Sequence, residues 1–85
     1  MKDNIILVLS LARQLQDKIL AKEMDFGSIT VSVTKTSKLY AVGISICKSS
    51  SYAVEQLAVT SYTPEEEVQK CINRLLELLS SKDSF

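Results

Sequence analysis

The sequence predicts an α+β domain in which a helix, a three-stranded antiparallel sheet and a second helix follow one another, both helices lying on one face of the sheet. Two switches of hydrophobic period carry this reading. Apolar residues recur every three or four positions near each end of the chain, and every second position in between. A helix-start signature at Thr63-Pro64-Glu65-Glu66 marks the second switch. The connections are short, which favours an antiparallel meander, and two amphipathic helices on one sheet face bury both apolar stripes in the simplest way.

The first helix is expected from Asn4 to Glu23, a stretch without Gly or Pro in which Ile5, Val8, Leu11, Ala12, Leu15 and Ile19 form one stripe. Asp3 or Asn4 is expected to cap it, with Arg13, Gln14, Asp17 and Lys18 facing water. Ile6, Leu9 and Leu20 fall beside the stripe as a second apolar patch, more than a small core covers from one side. The apolar start Ile5-Ile6-Leu7-Val8-Leu9 imitates an export signal, but the helical pattern runs on through Leu15, Ile19 and Leu20, so it is read as helix. Asp25-Phe26-Gly27-Ser28 ends the helix, with Gly27 expected to supply the positive φ of a C-cap.

Ile29, Val31 and Val33 then alternate with Thr30, Ser32 and Thr34, giving a strand from Ser28 to Lys35. After a turn at Thr36-Ser37-Lys38, Tyr40, Val42, Ile44 and Ile46 alternate with Ala41, Gly43, Ser45 and Cys47 in a second strand. Ser49-Ser50-Ser51 turns the chain again. The third strand, Tyr52 to Ser61, has a broken alternation that a bulge near Glu55-Gln56 would reconcile. Thr63 is read as N-cap of the second helix, Pro64 as its first residue and Glu66 as the capping-box partner. Val68, Cys71, Ile72, Leu75 and Leu79, widened by Leu76 and Leu78, form the stripe of that helix, which runs to about Ser81. Lys70, Asn73, Arg74 and Glu77 form its wet side.

Composition narrows function by exclusion. A chain of 85 residues makes one domain, 1–85, that buries roughly 60% of its unfolded surface. Ten Lys or Arg balance ten Asp or Glu, leaving no net field for nucleic acid or an anionic membrane, and Lys35, Lys38 and Lys48 read as a solvated rim. No apolar run approaches the ~18 residues of a membrane span. His is absent, and with it the commonest general base and metal ligand. Cys47 and Cys71 are too few for a disulfide framework and have no zinc spacing, which suits a reducing, cytoplasmic setting. Cys71 falls on a core stripe. The consecutive Glu65, Glu66 and Glu67 point to different sides of a helix start and are read as dipole and capping groups rather than as catalytic carboxylates. Neither Gly27 nor Gly43 opens a helix, as a phosphate loop requires. No catalytic residue, cofactor or metal is expected.

The element order resembles that of double-stranded-RNA-binding domains. Ile29-Thr30-Val31-Ser32-Val33 stand where such domains have their first strand, and Thr63-Pro64-Glu65-Glu66-Glu67-Val68 where their second helix begins. The resemblance implies a nucleic-acid-binding regulator, but at the helix start where that family carries phosphate-gripping Lys residues this chain has three Glu. The sheet-then-helix half also resembles HicB-type antitoxins, in which a Thr and acidic residues open the helix after the last strand.

The feature that points to function is the sheet face turned away from the helices. It is expected to show Thr30, Ser32 and Thr34, then Ala41, Gly43 and Ser45, then Ala58 and Thr60: small, uncharged and without the aromatics of a nucleic-acid stacking platform. Together with Ile6, Leu9 and Leu20, these residues are the candidate interaction surface. The expected function is a small non-catalytic protein–protein interaction module, acting as a homodimer or on another protein. An inhibitor of a host macromolecular complex, of the kind phages and mobile elements encode, fits that description. The nucleic-acid-binding regulator is the alternative.

Overall fold

The computed structural model describes residues 2–21, 26–48 and 54–80. Helix α1 (Lys2–Leu20) is followed by strands β1 (Phe26–Lys35), β2 (Tyr40–Lys48) and β3 (Val54–Thr60) and by helix α2 (Glu65–Ser80). The strands pair antiparallel in the order β1-β2-β3, so the expected α-βββ-α architecture holds. α1 lies over β1 and β2, and α2 over β3.

The core is the layer between helices and sheet. Ile5, Val8, Leu11, Ala12 and Leu15 of α1 meet Val42, Ile44 and Ile46 of β2, Val59 of β3, and Val68, Cys71, Ile72, Leu75 and Leu78 of α2. These side chains are fully or almost fully withdrawn from water, so each large one contributes on the order of 1.5–3 kcal/mol to the folded state. No buried side-chain polar atom among the described residues lacks a hydrogen-bond partner. The helices are locked at their C-terminal ends by the Lys18 ammonium, which donates to the Leu79 carbonyl at 2.8 Å.

Several expectations need correction. α1 begins at Lys2, so Asp3 and Asn4 lie inside its first turn and cap nothing. It ends at Leu20, where the Ala21 N–H closes on the Asp17 carbonyl at 2.9 Å. Gly27 is a residue of β1 rather than a helix cap, at the register shift between Phe26 and Ser28. The bulge expected in β3 does not exist over Val54–Thr60: the register with β2 runs unbroken from Cys47↔Val54 to Ala41↔Thr60. The alternation looked broken because the apolar Val54 stands on the open side, 54% exposed, while a charged residue, Glu55, occupies a helix-side position. Arg74 of α2 makes that tolerable, donating from Nε and Nη2 to the two carboxylate oxygens at 2.6 and 2.7 Å. This bidentate pair, which raises the Arg74 pKa further, takes Arg74 off the wet side assigned to it. Tyr52 and the Ser49–Ser51 turn lie outside the described residues, as do residues 81–85.

At the β3–α2 corner the Thr63 hydroxyl accepts the Thr60 N–H at 2.8 Å, and the Pro64 carbonyl is the acceptor for Glu67 and Val68. Thr63 therefore closes the corner, and no capping-box bond forms among the described residues. Two apolar assignments also change. Val33 shares the helix side of β1 but is 55% exposed, because α1 sits inboard of it, and Leu76 on α2 is 48% exposed while Leu78 is fully buried.

The last distinction is measurable by urea unfolding. Leu75→Ala is expected to cost about 3 kcal/mol by leaving a cavity, whereas Leu76→Ala changes stability by less than about 0.5 kcal/mol. Equal losses would mean that the facing of α2 is wrong.

Candidate interaction surface

Strand register builds the open face row by row. Ser28 stands beside Cys47 and Val54, Thr30 beside Ser45 and Gln56, Ser32 beside Gly43 and Ala58, and Thr34 beside Ala41 and Thr60. All eight sheet-face residues expected from the sequence are thus brought together. Ser28, Cys47, Val54 and Gln56 complete the face. Cys47 already fell on this face by the alternation of β2, whereas the supposed bulge had moved the first part of β3, with Val54 and Gln56, to the wrong side.

No residue of these four rows carries a formal charge, and none is aromatic. The two charged strand residues with described side chains, Lys35 and Glu55, both stand on the helix side, Lys35 with its ammonium 5.6 Å from the Tyr40 ring centre and Glu55 against Arg74. Charge is therefore segregated by face, although both strand ends are near water. Relief is low as well. The middle of the sheet holds a shallow concavity of about 160 Å³ bordered by Thr30, Ser32, Ser45, Gln56 and Ala58, with Gly43 at its floor. A Cβ on Gly43 would stand 3.0 Å from the Ser32 Oγ, so glycine lets that serine lie flat across the sheet.

Ile6, Leu9 and Leu20 are not part of this face. They lie on α1, one layer away, with Ile6 55% and Leu20 81% exposed and Leu9 half-buried against the core. Exposed Leu7 and Tyr62 were not singled out by sequence; Leu7 looked like a member of an apolar helix, and the Tyr62 hydroxyl instead ties the corner to the β1–β2 turn by donating to the Lys38 carbonyl at 3.0 Å.

Glu65, Glu66 and Glu67 are all exposed on the first turn of α2, and no group of His, Cys, Asp or Glu among the described residues is placed to hold a metal ion. No described helix is long and apolar enough to cross a membrane. Cys71 is buried in the core, and desolvation raises its thiol pKa, the opposite of what a nucleophile needs. Cys47 stands on the open face, half-exposed.

The chain matches no protein-family model, no curated protein and no solved structure.

The two thiols should behave differently toward a disulfide reagent at neutral pH, Cys47 reacting in the native state and Cys71 only on unfolding. Because burial raises the Cys71 pKa, folding favours the neutral thiol. Its contribution is fully present below the unfolded thiol pKa and is lost as pH rises beyond about 8.5 toward the folded value. Unfolding curves from pH 7 to 10 should show that loss in the native chain and a smaller one in Cys71→Ala.

Proposed function

We propose that this chain is a non-catalytic protein–protein interaction module that offers the open face of its sheet to another protein. The observation that carries the reading is the segregation of charge. Water-facing sheet surfaces usually carry Lys, Glu or Arg, and here twelve positions in register carry none. A flat surface of hydroxyls, methyls, one thiol and one amide is inexpensive to desolvate, and its polar atoms find new hydrogen bonds in a partner. Two sheets stacked face to face approach to about 10 Å, and short side chains are what such an approach tolerates.

Nucleic acid is the less favoured ligand. The twelve described positions of the open face offer no cation to phosphate and no ring to a base, and the exposed Glu65, Glu66 and Glu67 crowd negative charge at the start of α2. Occupying a partner's surface needs no chemistry, so the module acts by occlusion, as an inhibitor of a larger complex does. A thiol on the binding face, Cys47, suits a reducing, cytoplasmic setting.

The test is a photo-crosslinking amino acid placed at Ser45, in the middle of the face, and separately at Lys70 on the outer side of α2, in cells of the source organism. A discrete protein adduct is expected from position 45, lost when Ser32→Arg is added, and none from position 70. An adduct to nucleic acid, or a protein adduct from position 70 alone, overturns the reading.

A further inference from the structure

β1 is an edge of the sheet, and its backbone is open there. The Ser61 N–H donates to the Tyr40 carbonyl at 2.8 Å, which places the even-numbered residues of β2 in the hydrogen-bonded pairs with β3. By alternation the odd ones bond β1, through Ser28, Thr30, Ser32 and Thr34. Ile29, Val31 and Val33 therefore aim their N–H and C=O groups outward, and no described strand lies beyond them. No charge or proline protects the edge from Phe26 to Thr34.

The helix side of the same edge is under-covered. Ile29 and Val31 are half-buried and Val33 is exposed, whereas their β2 neighbours Ile46, Ile44 and Val42 are buried. Above them stands the flank of α1 that faces away from α2. Lys18 marks the side toward α2, through its bond to Leu79. Leu9 and Leu20 come about 180° and 200° around the helix from it. Gln16, Asp17, Ile19, Leu20 and Ile29 line one depression, so this flank and β1 are continuous.

We propose that a second copy of this chain pairs with the first along β1, antiparallel and about a two-fold axis at Val31, giving a six-stranded sheet with four helices on one face. Val31 then exchanges both hydrogen bonds with its counterpart, and Ile29 pairs with the second copy's Val33, so all three open residues are satisfied. Lys35 lies past the second copy's Ser28, clear of its own counterpart.

The helix layer fits the same axis. From Ile29 to Val31 is about 6.6 Å along the strand, or four to five helical residues. Ile19 and Leu20 adjoin Ile29, so the axis passes α1 near Leu15. That sets Arg13 opposite the second copy's Asp17, twice by symmetry, and Leu9 close to its Leu20. With strands about 4.8 Å apart and α1 spanning β1 and β2, the two α1 axes come to about 10 Å, an ordinary helix–helix distance. The seam is about 23 Å long and two layers, about 20 Å, deep, on the order of 1,000 Å² in total, the threshold of a specific interface. The open face takes no part, so this dimer stands or falls independently of the function proposed above.

The experiment is sedimentation equilibrium of the full chain from about 1 to about 500 μM, a range suited to an interface of this size. The mass is expected to rise from 9.4 kDa toward twice that value. Val33→Lys should raise the dissociation constant about tenfold or more, since the change is felt at two symmetric pairs, and Leu20→Glu, at a site 81% exposed in the monomer, should do the same. Arg13→Asp should weaken the dimer, and adding Asp17→Arg should restore it, with Ser45→Arg leaving it unchanged and circular dichroism confirming the fold of each variant. A mass of 9.4 kDa throughout overturns the proposal, as does a dimer abolished by Ser45→Arg and indifferent to Val33→Lys.

Discussion

Everything in this molecule depends on one layer of apolar contact between two helices and one face of a sheet. The described residues have enough large apolar side chains to fill that layer and no further helix or strand to build another. Val42, Ile44 and Ile46 on the central strand are its floor, and Val8, Leu15, Leu75 and Leu78 its roof. A sheet covered on one side leaves its other side to water or to a partner, so the bare face is a consequence of where the core is. What selection controls is the chemistry written on that face.

That chemistry is not what solubility alone prescribes. Lys35 and Glu55 stand on the helix side, where Glu55 requires a dedicated bidentate partner from α2. Burying most of a carboxylate is costly unless it is paired, and replacing such a pair by apolar groups is often neutral or stabilising. A Glu placed one residue along β3 would have been solvated at no cost. Charge thus occupies the more demanding side of the strand while the easier side stays neutral, which favours a requirement on the open face over chance.

The architecture was legible because period, turn chemistry and the helix start at Pro64 all agreed. The open face was legible on β1 and β2, where alternation is clean, and half legible on β3. There the exposed Val54 imitated a core residue and Glu55 a surface one, and a bulge was inferred to rescue the pattern. Nothing local announces that Arg74, nineteen residues later, will return to pair with it. Val33 and Leu76 failed for a related reason: periodicity says which side a residue faces, and only the lateral placement of the helices says whether that side is covered there. The apparent cap at Thr63 shows that a motif's residues can be present while their hydrogen bonds serve another purpose, here the corner with Thr60.

Edge and face answer different needs. A strand edge without charge or proline is a hazard for a monomer, since any extended chain can add to it. The neutral open face calls for a partner, but it does nothing to close β1, whose free groups point within the plane of the sheet. Stacking on the face leaves the edge open, whereas pairing along the edge leaves the face free and doubles its width. A module that presents a broad, flat, neutral surface therefore gains from closing its edge with itself, and the exposed flank of α1 above that edge is the surface such closure would cover.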